Sequence, residues 1–532
     1  MSIDNLTTVA GHLRARLEKD PERDIAACGG PWRSVGTVHD RAARLAAGLY
    51  ESGVRPGDRV ASMMPNRDEA VDLFFACALL GAIQVPLNVF LKGEFLRYQL
   101  ADAEPAVVVA DAAALPLMAE AVKAPELSGA RLVALDPLEE SDTGAVPFAD
   151  LLVDPVRTWP DPGPDDLVAV LYTSGTTGMP KGCMINNGYF THMPKAHMMH
   201  GWFTAGDTSM CPLPLYHGFA LSALMDGLVA GCRVAFDPVY SASMFLRRAR
   251  EIGATQFFGV GAMAAALLAT PPAPDDTEHA IERAIFIPLA PAVKRQFEER
   301  FGTRAICEGY GQTEVLPATM GDGTSTGRPD RASAGRALPW LDVRVVDDAD
   351  RVLPQGETGE VVVRPLEPYS MFAGYWRKDA ATLDAWKNLW HHTGDLGFFD
   401  GDGSLYFVDR KKDALRRRGE NVSSVELELA ILKHPAIAEV AIHAVPAGVR
   451  EDEIKACLVL ERGARLEPAE LFAYLRENLP YFAVPRYVEF LDELPKNAVA
   501  RVLKHKLRDG WDTPGTVDFQ ALGLVIDRSE RR

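Results

Sequence analysis

Asp166-Leu-Val-Ala-Val-Leu-Tyr-Thr-Ser-Gly-Thr-Thr-Gly-Met-Pro-Lys-Gly182 joins an apolar run to a stretch that carries hydroxyls, glycines and a single lysine. Asp166 to Tyr172 reads as a buried strand. Thr173 to Gly182 is too small-sided to build core, so it reads as a loop that presents backbone N–H groups, hydroxyls and Lys181 together. That combination suits a polyphosphate. It is not the P-loop of nucleoside triphosphatases, which needs Gly-Lys-Ser/Thr at the end of the loop, because five residues after Gly175 stands Pro180. The alternative, a flexible Gly/Thr surface loop, does not explain why the stretch directly follows an apolar strand.

Around this centre the chain reads as a soluble enzyme of several domains. Its 532 residues exceed what one core organises. The net charge of −17 argues against nucleic acid or an anionic membrane as a general partner, so a triphosphate site must be a local basic island. Arg416-Arg417-Arg418 with Lys411 and Lys412 is such an island, or else a solvated charged face. The seven cysteines form no Cys-x-x-Cys, which indicates neither a zinc site nor a disulfide framework and points to a reducing, cytoplasmic setting. Met1 to Arg23 lacks the apolar core of a secretory signal. The longest apolar run, Leu73 to Leu91, is interrupted by Gly81 and Pro86 and fits a buried helix followed by a strand rather than a membrane span.

From about Arg41 to Asp237 helical spacing alternates with short strands at 59–63, 106–110 and 131–135, and a second such half follows from Phe245 to about Leu338. This alternation predicts an α/β fold with stacked sheets and helices. Leu341 to Arg364 reads as short antiparallel strands broken at Pro354 and Gly356. The boundary falls near Lys412, giving a large N-terminal domain over 1–411 and a small α+β domain over 412–532. In the latter, Ser423 and Glu426 form a capping-box pattern for a helix to about Lys433, followed by strands at 439–445, 454–460 and 487–490 and a helix at 468–478. The stretch after Trp511 carries no usable pattern.

Four further strings stand in order after the loop: Tyr310-Gly311-Gln312-Thr313-Glu314, Thr393-Gly394-Asp395, Asp409-Arg410-Lys411-Lys412-Asp413, and Gly419-Glu420-Asn421-Val422. With the loop they make residues 25 to 508 resemble the adenylate-forming (ANL) superfamily of acyl-CoA synthetases, peptide-synthetase adenylation domains and luciferases. Phe407 to Arg410 and Gly419 to Glu428 look most like its crotonobetaine/carnitine CoA ligase branch. The resemblance implies an AMP-forming ligase that uses ATP, Mg²⁺ and CoA, with a C-terminal domain that swings about a hinge at Lys412. It also implies site roles. Thr173, Ser174, Gly175, Thr176, Thr177, Gly178 and Lys181 would hold the β- and γ-phosphates, and Glu314 with Thr176 would hold Mg²⁺. Tyr310, within Glu308-Gly309-Tyr310-Gly311 and close to Thr313, would stack on adenine; Asp395 would accept both ribose hydroxyls, and Arg410 would donate to the same sugar or to the α-phosphate. His217 would stand at an aromatic gate beside the acid pocket, which 217–221, 259–264 and 308–309 would line, and the pantetheine channel would pass Gly419. For three of these the residue alone leaves an alternative: Glu314 as a helix-start acid, His217 as a satisfied structural histidine, and Glu308 as a pocket-rim hydrogen-bonder rather than a partner for an amine on the acid.

Two positions depart from the family. Its usual Pro-Lys-Thr-x-x-Gly-Lys reads Pro495-Lys496-Asn497-Ala498-Val499-Ala500-Arg501 here, so an arginine fork replaces the lysine that bridges carboxylate and α-phosphate, with Lys504 three residues on as a substitute. Arg418 replaces a small residue before Gly419; its bulk obstructs a pantetheine channel or else binds the 3′-phosphate of CoA. Three readings remain in order: an acyl- or aryl-CoA synthetase; a ligase passing an activated acid, even nitrous acid, to an amine; and a nucleotide-binding protein without ligase activity. The resemblance allows a homodimer, which no residue pattern here specifies.

Overall fold

The computed structural model describes residues 7–137, 143–155, 159, 161–173, 179–325, 327–328, 331–411, 415–417, 420–422, 424–446, 452–479, 483–496 and 502–526. By contact the chain divides into two compact units, Met1–Arg344 with Val362–His392 and Asp400–Tyr406, and Val345–Val361 with Thr393–Phe399 and Phe407–Arg532.

The larger unit holds two seven-stranded sheets. The first runs in the order Val146–Pro147, Arg131–Ala134, Val107–Ala110, Arg59–Met63, Ile83–Leu87, Leu167–Thr173, Lys181–Asn186. All its pairs are parallel except the last, which is antiparallel. Strands such as Val107–Ala110 are buried along their whole length, as a parallel sheet covered on both faces requires. The second sheet runs Arg304–Ile306, Arg283–Phe286, Gln256–Gly259, Thr208–Met210, Arg233–Ala235, Asp24–Ala27, Arg33–Ser34 and is likewise parallel up to its antiparallel last pair.

Helices Asp68–Leu80, Asn187–Met199 and Gly218–Val229 fill the space between the sheets. The first touches Ile83–Leu87, the last touches Asp24–Ala27 and Arg233–Ala235, and Val9–Lys19 packs on all three. Asp68–Leu80 is buried from Ala70 onward, which suits a mostly apolar helix whose one buried carboxylate, Asp72, is paired with Arg33 and Arg41. The stacked α/β architecture is the one the alternating pattern predicts. The division between halves differs: Thr208–Met210 and Arg233–Ala235 belong to the second sheet, and Asp24–Ala27, from the stretch before the alternation begins, supplies another of its strands. Leu341–Val346 and Gly359–Pro365 are the strands expected on either side of Pro354 and Gly356.

The smaller unit carries a four-stranded sheet in the order Ile437–Pro446, Asp452–Leu460, Tyr487–Phe490, Val517–Asp518, paired antiparallel, parallel and antiparallel. Helices Ser424–Ile431 and Pro468–Asn478 contribute Leu427, Ile431, Leu471 and Leu475 to its core, against Ile442, Leu458 and Val488. The second helix starts with a capping box between Glu467 and Glu470. The expected box at Ser423 and Glu426 lies outside the described residues and side chains. The unpatterned tail supplies the edge strand Val517–Asp518 and places Phe519 in the core at 1% exposure. Among the described residues no helix is long and apolar enough to cross a membrane.

Candidate functional site

The apolar run and the lysine-bearing segment form the antiparallel pair Leu167–Thr173 and Lys181–Asn186 at the edge of the first sheet, with Thr173 directly opposite Lys181. The two strands are therefore the arms of a hairpin, and the described ends of the stretch that joins them meet at Thr173 and Lys181. Ser174, Gly175, Thr176, Thr177 and Gly178 lie outside the described residues. Gly182 fits where any Cβ would stand 2.6 Å from Val170 Cγ1 and 3.2 Å from Tyr172 Cζ, so the edge strand packs tightly against its neighbour. Tyr172, next to the loop, donates to Asp102 Oδ2 at 2.8 Å, and Lys378 Nζ donates to Oδ1 at 2.7 Å.

Residues 372–376 cover the open side of the edge strand. Ala373 N donates to Met184 O at 2.8 Å, Met184 N to Gly374 O at 2.9 Å, and Trp376 N to Gly182 O at 2.7 Å. This strap sets Tyr375 opposite Cys183. The Tyr375 ring lies under Lys181, whose Nζ is 4.8 Å from the ring centroid. Its hydroxyl donates to Glu314 Oε1 at 2.8 Å. The strap also holds the Glu314 backbone, since Phe372 N donates to Glu314 O at 2.9 Å, while Thr313 O accepts from Tyr189 at 2.9 Å. Lys181 and Glu314, distant in sequence, are thus joined through Tyr375, a residue the sequence reading did not single out. Burial and the adjacent Glu314 push the Tyr375 hydroxyl well above its ordinary range, so it remains a donor. Burial does the same to the Cys183 thiol beside them.

Gly309–Gln312 pairs antiparallel with Val315–Met320 through a bulge between Tyr310 and Gln312. Gly311 permits the bulge, because a Cβ there would stand 2.8 Å from Val315 O. Tyr310 is 9% exposed. Glu308 precedes it in near-complete burial: Oε2 accepts from Gly323 N at 2.7 Å, and among the described residues Oε1 has no hydrogen-bond partner. Burial raises its pKa. His217 caps the start of Gly218–Val229 with its backbone, and its buried Nε2 likewise lacks a hydrogen-bond partner among the described residues. Burial lowers its pKa to about 4, so the ring is neutral at neutral pH.

The smaller unit holds the other described candidates. Arg410 Nε stands 3.5 Å from Asp395 Oδ1. Asp395 lies in the strand His391–Phe399 directly after Gly394, whose φ is +69°. There Asp395 N donates to Thr393 Oγ1 at 3.1 Å and Gly394 N to Glu360 Oε1 at 3.1 Å. Asp409 accepts from Arg410 N and Ser424 N, both at 2.7 Å. Lys412, Arg418, Gly419 and Arg501 lie outside the described residues. The segment bearing Arg501 is closed at its base by Leu503 N donating to Pro495 O at 2.7 Å. Lys504, the substitute cation of the sequence reading, is already engaged: its Nζ is 2.7 Å from Glu428 Oε1 and 2.6 Å from Ser424 Oγ. Glu428 Oε1 also accepts from Ile442 N at 2.8 Å. Among the described residues no cluster of three or more His, Cys, Asp or Glu side chains could hold a metal by itself.

Comparison with known proteins gives the same outline. The family model described as AMP-binding enzyme matches residues 13–376, and that of the AMP-binding enzyme C-terminal domain matches 426–501. The crotonobetaine/carnitine–CoA ligases of Salmonella heidelberg and Salmonella typhi are each 32% identical over 484 residues, covering 89% of this chain and 93% of theirs. ATP-bound MatB from Rhodopseudomonas palustris superposes with a TM-score of 0.84 at 28% identity, over 94% of this chain and 99% of that one. The o-succinylbenzoate CoA synthetase (MenE) of Bacillus subtilis, in complex with its acyl-adenylate intermediate, superposes with a TM-score of 0.83 at 26% identity, over 96% and 100%.

Proposed function

Since the chain belongs to the AMP-binding enzyme family, in its acyl-CoA ligase part, we propose that it activates a carboxylic acid with ATP and transfers the acyl group to CoA. A carboxylate oxygen bonds to the α-phosphorus of ATP as the bond to pyrophosphate breaks. The CoA sulfur then bonds to the acyl carbon, AMP leaves, and the thiol proton passes to solvent. The barrier to the first step is largely the crowding of anionic oxygens, and fixed positive charge and donors lower it.

The observation that carries the assignment is the junction of the hairpin with Glu314. The loop from Thr173 to Lys181 would take the β- and γ-phosphates, with Ser174, Thr176 and Thr177 as hydroxyl donors and Lys181 as the cation at its base. A single carboxylate fits Mg²⁺, which is commonly bound by one or two carboxylates plus substrate phosphates and waters rather than by a protein cage. Glu314, with one oxygen fixed by Tyr375, would supply that carboxylate, and the ion would neutralise charge on the phosphates. Tyr310 would receive the adenine, Asp395 and Arg410 the ribose, and Arg501 would bridge carboxylate and α-phosphate. The engagement of Lys504 by Glu428 and Ser424 supports assigning that last role to Arg501. The hinge is assigned to Lys412, with the pantetheine channel at Gly419.

Glu308 and His217 would bound the acid pocket, the one offering a buried carboxylate oxygen and the other a neutral ring nitrogen. Relatives named as CoA ligases over most of the chain favour CoA as acceptor over an amine. The test is release of AMP and pyrophosphate from ATP, Mg²⁺ and a panel of acids including nitrite, with and without CoA. AMP release driven by CoA supports the proposal; release that needs an amine and ignores CoA overturns it.

A further inference from the structure

We propose that Tyr375 is a positioning residue that sets the phosphate-binding lysine and the metal-binding carboxylate at a fixed spacing, an inference that rests on the adenylate-forming reading above. The argument is geometric. Lys181 enters the strap's reach because Trp376 N and Met184 N bond across the edge strand, on either side of Tyr375. Glu314 is held by the same strap at two points, its backbone carbonyl by Phe372 N and its Oε1 by the Tyr375 hydroxyl. Tyr375 itself has little freedom. It is 6% exposed, its N–H donates to Thr382 Oγ1 at 2.9 Å, and its ring packs at 5.1 Å from that of Phe372. The ring thus fixes where the Glu314 carboxylate points and where the Lys181 ammonium rests before a triphosphate enters.

The two ends of the side chain do different things. The ring face gives the Lys181 ammonium a resting contact of the cation–π kind, weak enough to be exchanged for phosphate oxygens when a triphosphate enters. The hydroxyl supplies a hydrogen bond that orients the carboxylate while leaving lone pairs for a cation. Partners of this kind, one step removed from the ion, fix ligand direction, and their loss commonly costs a factor of about ten to a hundred in metal affinity or activity.

Two substitutions separate these roles. Tyr375→Phe keeps the ring and removes the hydroxyl; Tyr375→Leu removes both. Mn²⁺ binding to the full chain with α,β-methylene-ATP, followed by electron paramagnetic resonance, reads the metal without turnover. Metal-free nucleotide binding in the presence of a chelator reads the lysine. We expect Tyr375→Phe to weaken Mn²⁺ about ten-fold and to raise the Mg²⁺ concentration for half-maximal pyrophosphate exchange by the same factor, with metal-free nucleotide binding unchanged. Tyr375→Leu should show that metal shift and, in addition, a several-fold weaker metal-free binding. In a Glu314→Gln background, Tyr375→Phe should change Mn²⁺ binding no further, which a general loosening of the fold would not produce. An Mn²⁺ affinity within two-fold of wild type in Tyr375→Phe, from a protein whose wild type forms adenylate, overturns the positioning role alone. A wild type that takes up no ATP and exchanges no pyrophosphate with any acid overturns the adenylate-forming reading and this inference with it.

Discussion

Replacing Lys504 by methionine separates a structural cation from a catalytic one. Lys504 and Glu428 are 16% and 18% exposed at their side chains, and their charged atoms are 2.7 Å apart. Removing one partner of a largely buried pair costs about 3–5 kcal/mol when fully enclosed, and the residual exposure here places the expected loss near 3 kcal/mol. Most of that is the carboxylate left behind. Burial already pushes the Glu428 pKa up, with Lys504 the main opposing influence, so the variant should raise it further. The penalty should grow as pH rises through the raised value and Glu428 ionises, and should shrink as pH falls below it and the group protonates. Lys504→Met/Glu428→Gln should recover about half of the loss, the remainder reflecting the donor removed from buried Ser424. Denaturant unfolding at several pH values measures the stability, and pyrophosphate exchange at a temperature where the variant stays folded measures the chemistry. Exchange should persist in Lys504→Met and vanish in Arg501→Ala. If Lys504→Met unfolds like wild type yet loses exchange, the lysine faces substrate, and the assignment to Arg501 fails.

Lys181→Ala and Glu314→Ala should each slow pyrophosphate exchange by about 10²–10³, as removal of one preorganised charge-stabilising group commonly does, and near-normal rates in either would refute the role of the hairpin. Gly309→Ala should weaken ATP binding, because its Cβ would stand 2.6 Å from Ile287 Cδ1 and 3.2 Å from Trp202 Cη2 and displace the strand that bears Tyr310; nucleotide titration checks it. His443 is fully buried with its pKa lowered to about 4, facing Lys455, Arg508 and Lys504, with Cys457 Sγ 3.8 Å from its Nε2. The unfolded chain takes up a proton near pH 6.5 while the folded chain does so only near its lowered value, so stability should fall by up to about 3 kcal/mol as pH drops across that window. His443→Leu should flatten that part of the pH dependence in urea midpoints.

How far the sequence discloses this molecule depends on how local each signal is. The core strands of the first sheet are legible because a parallel strand covered on both faces must be apolar throughout, and Val107–Ala110 is nothing else. Asp24–Ala27 is not legible: four residues of Asp-Ile-Ala-Ala carry no period, and the strand exists because Arg233–Ala235 lies alongside it. Val517–Asp518 is two residues long and depends on Tyr487–Phe490 in the same way. In each case the partner, supplied by distant chain, decides the conformation over local preference.

The site divides along the same line. Thr-Gly-Asp alone is a common turn, yet its parts are each committed here: Gly394 takes a left-handed φ, its N–H bonds Glu360, and the Thr393 hydroxyl both donates to Val361 O at 2.6 Å and accepts from Asp395 N. The ordered set of strings is specific because its described members, Thr393 to Asp395 and Asp409 to Arg410 among them, are fixed by contacts of this type, whereas any one string can occur for its turn geometry alone. Tyr375 escapes a reading by motifs for a related reason. It stands 61 residues from Glu314, and nothing in Gly374-Tyr375-Trp376 names a lysine or a carboxylate. Its contribution arises only once the strap has bonded to the edge strand, so the residue joining the two legible halves of the site is the one whose meaning is entirely tertiary. The same reasoning explains Lys504. The sequence shows a cation three residues beyond Arg501, but only the packing of Ser424–Ile431 on the adjoining sheet supplies the Glu428 that occupies it.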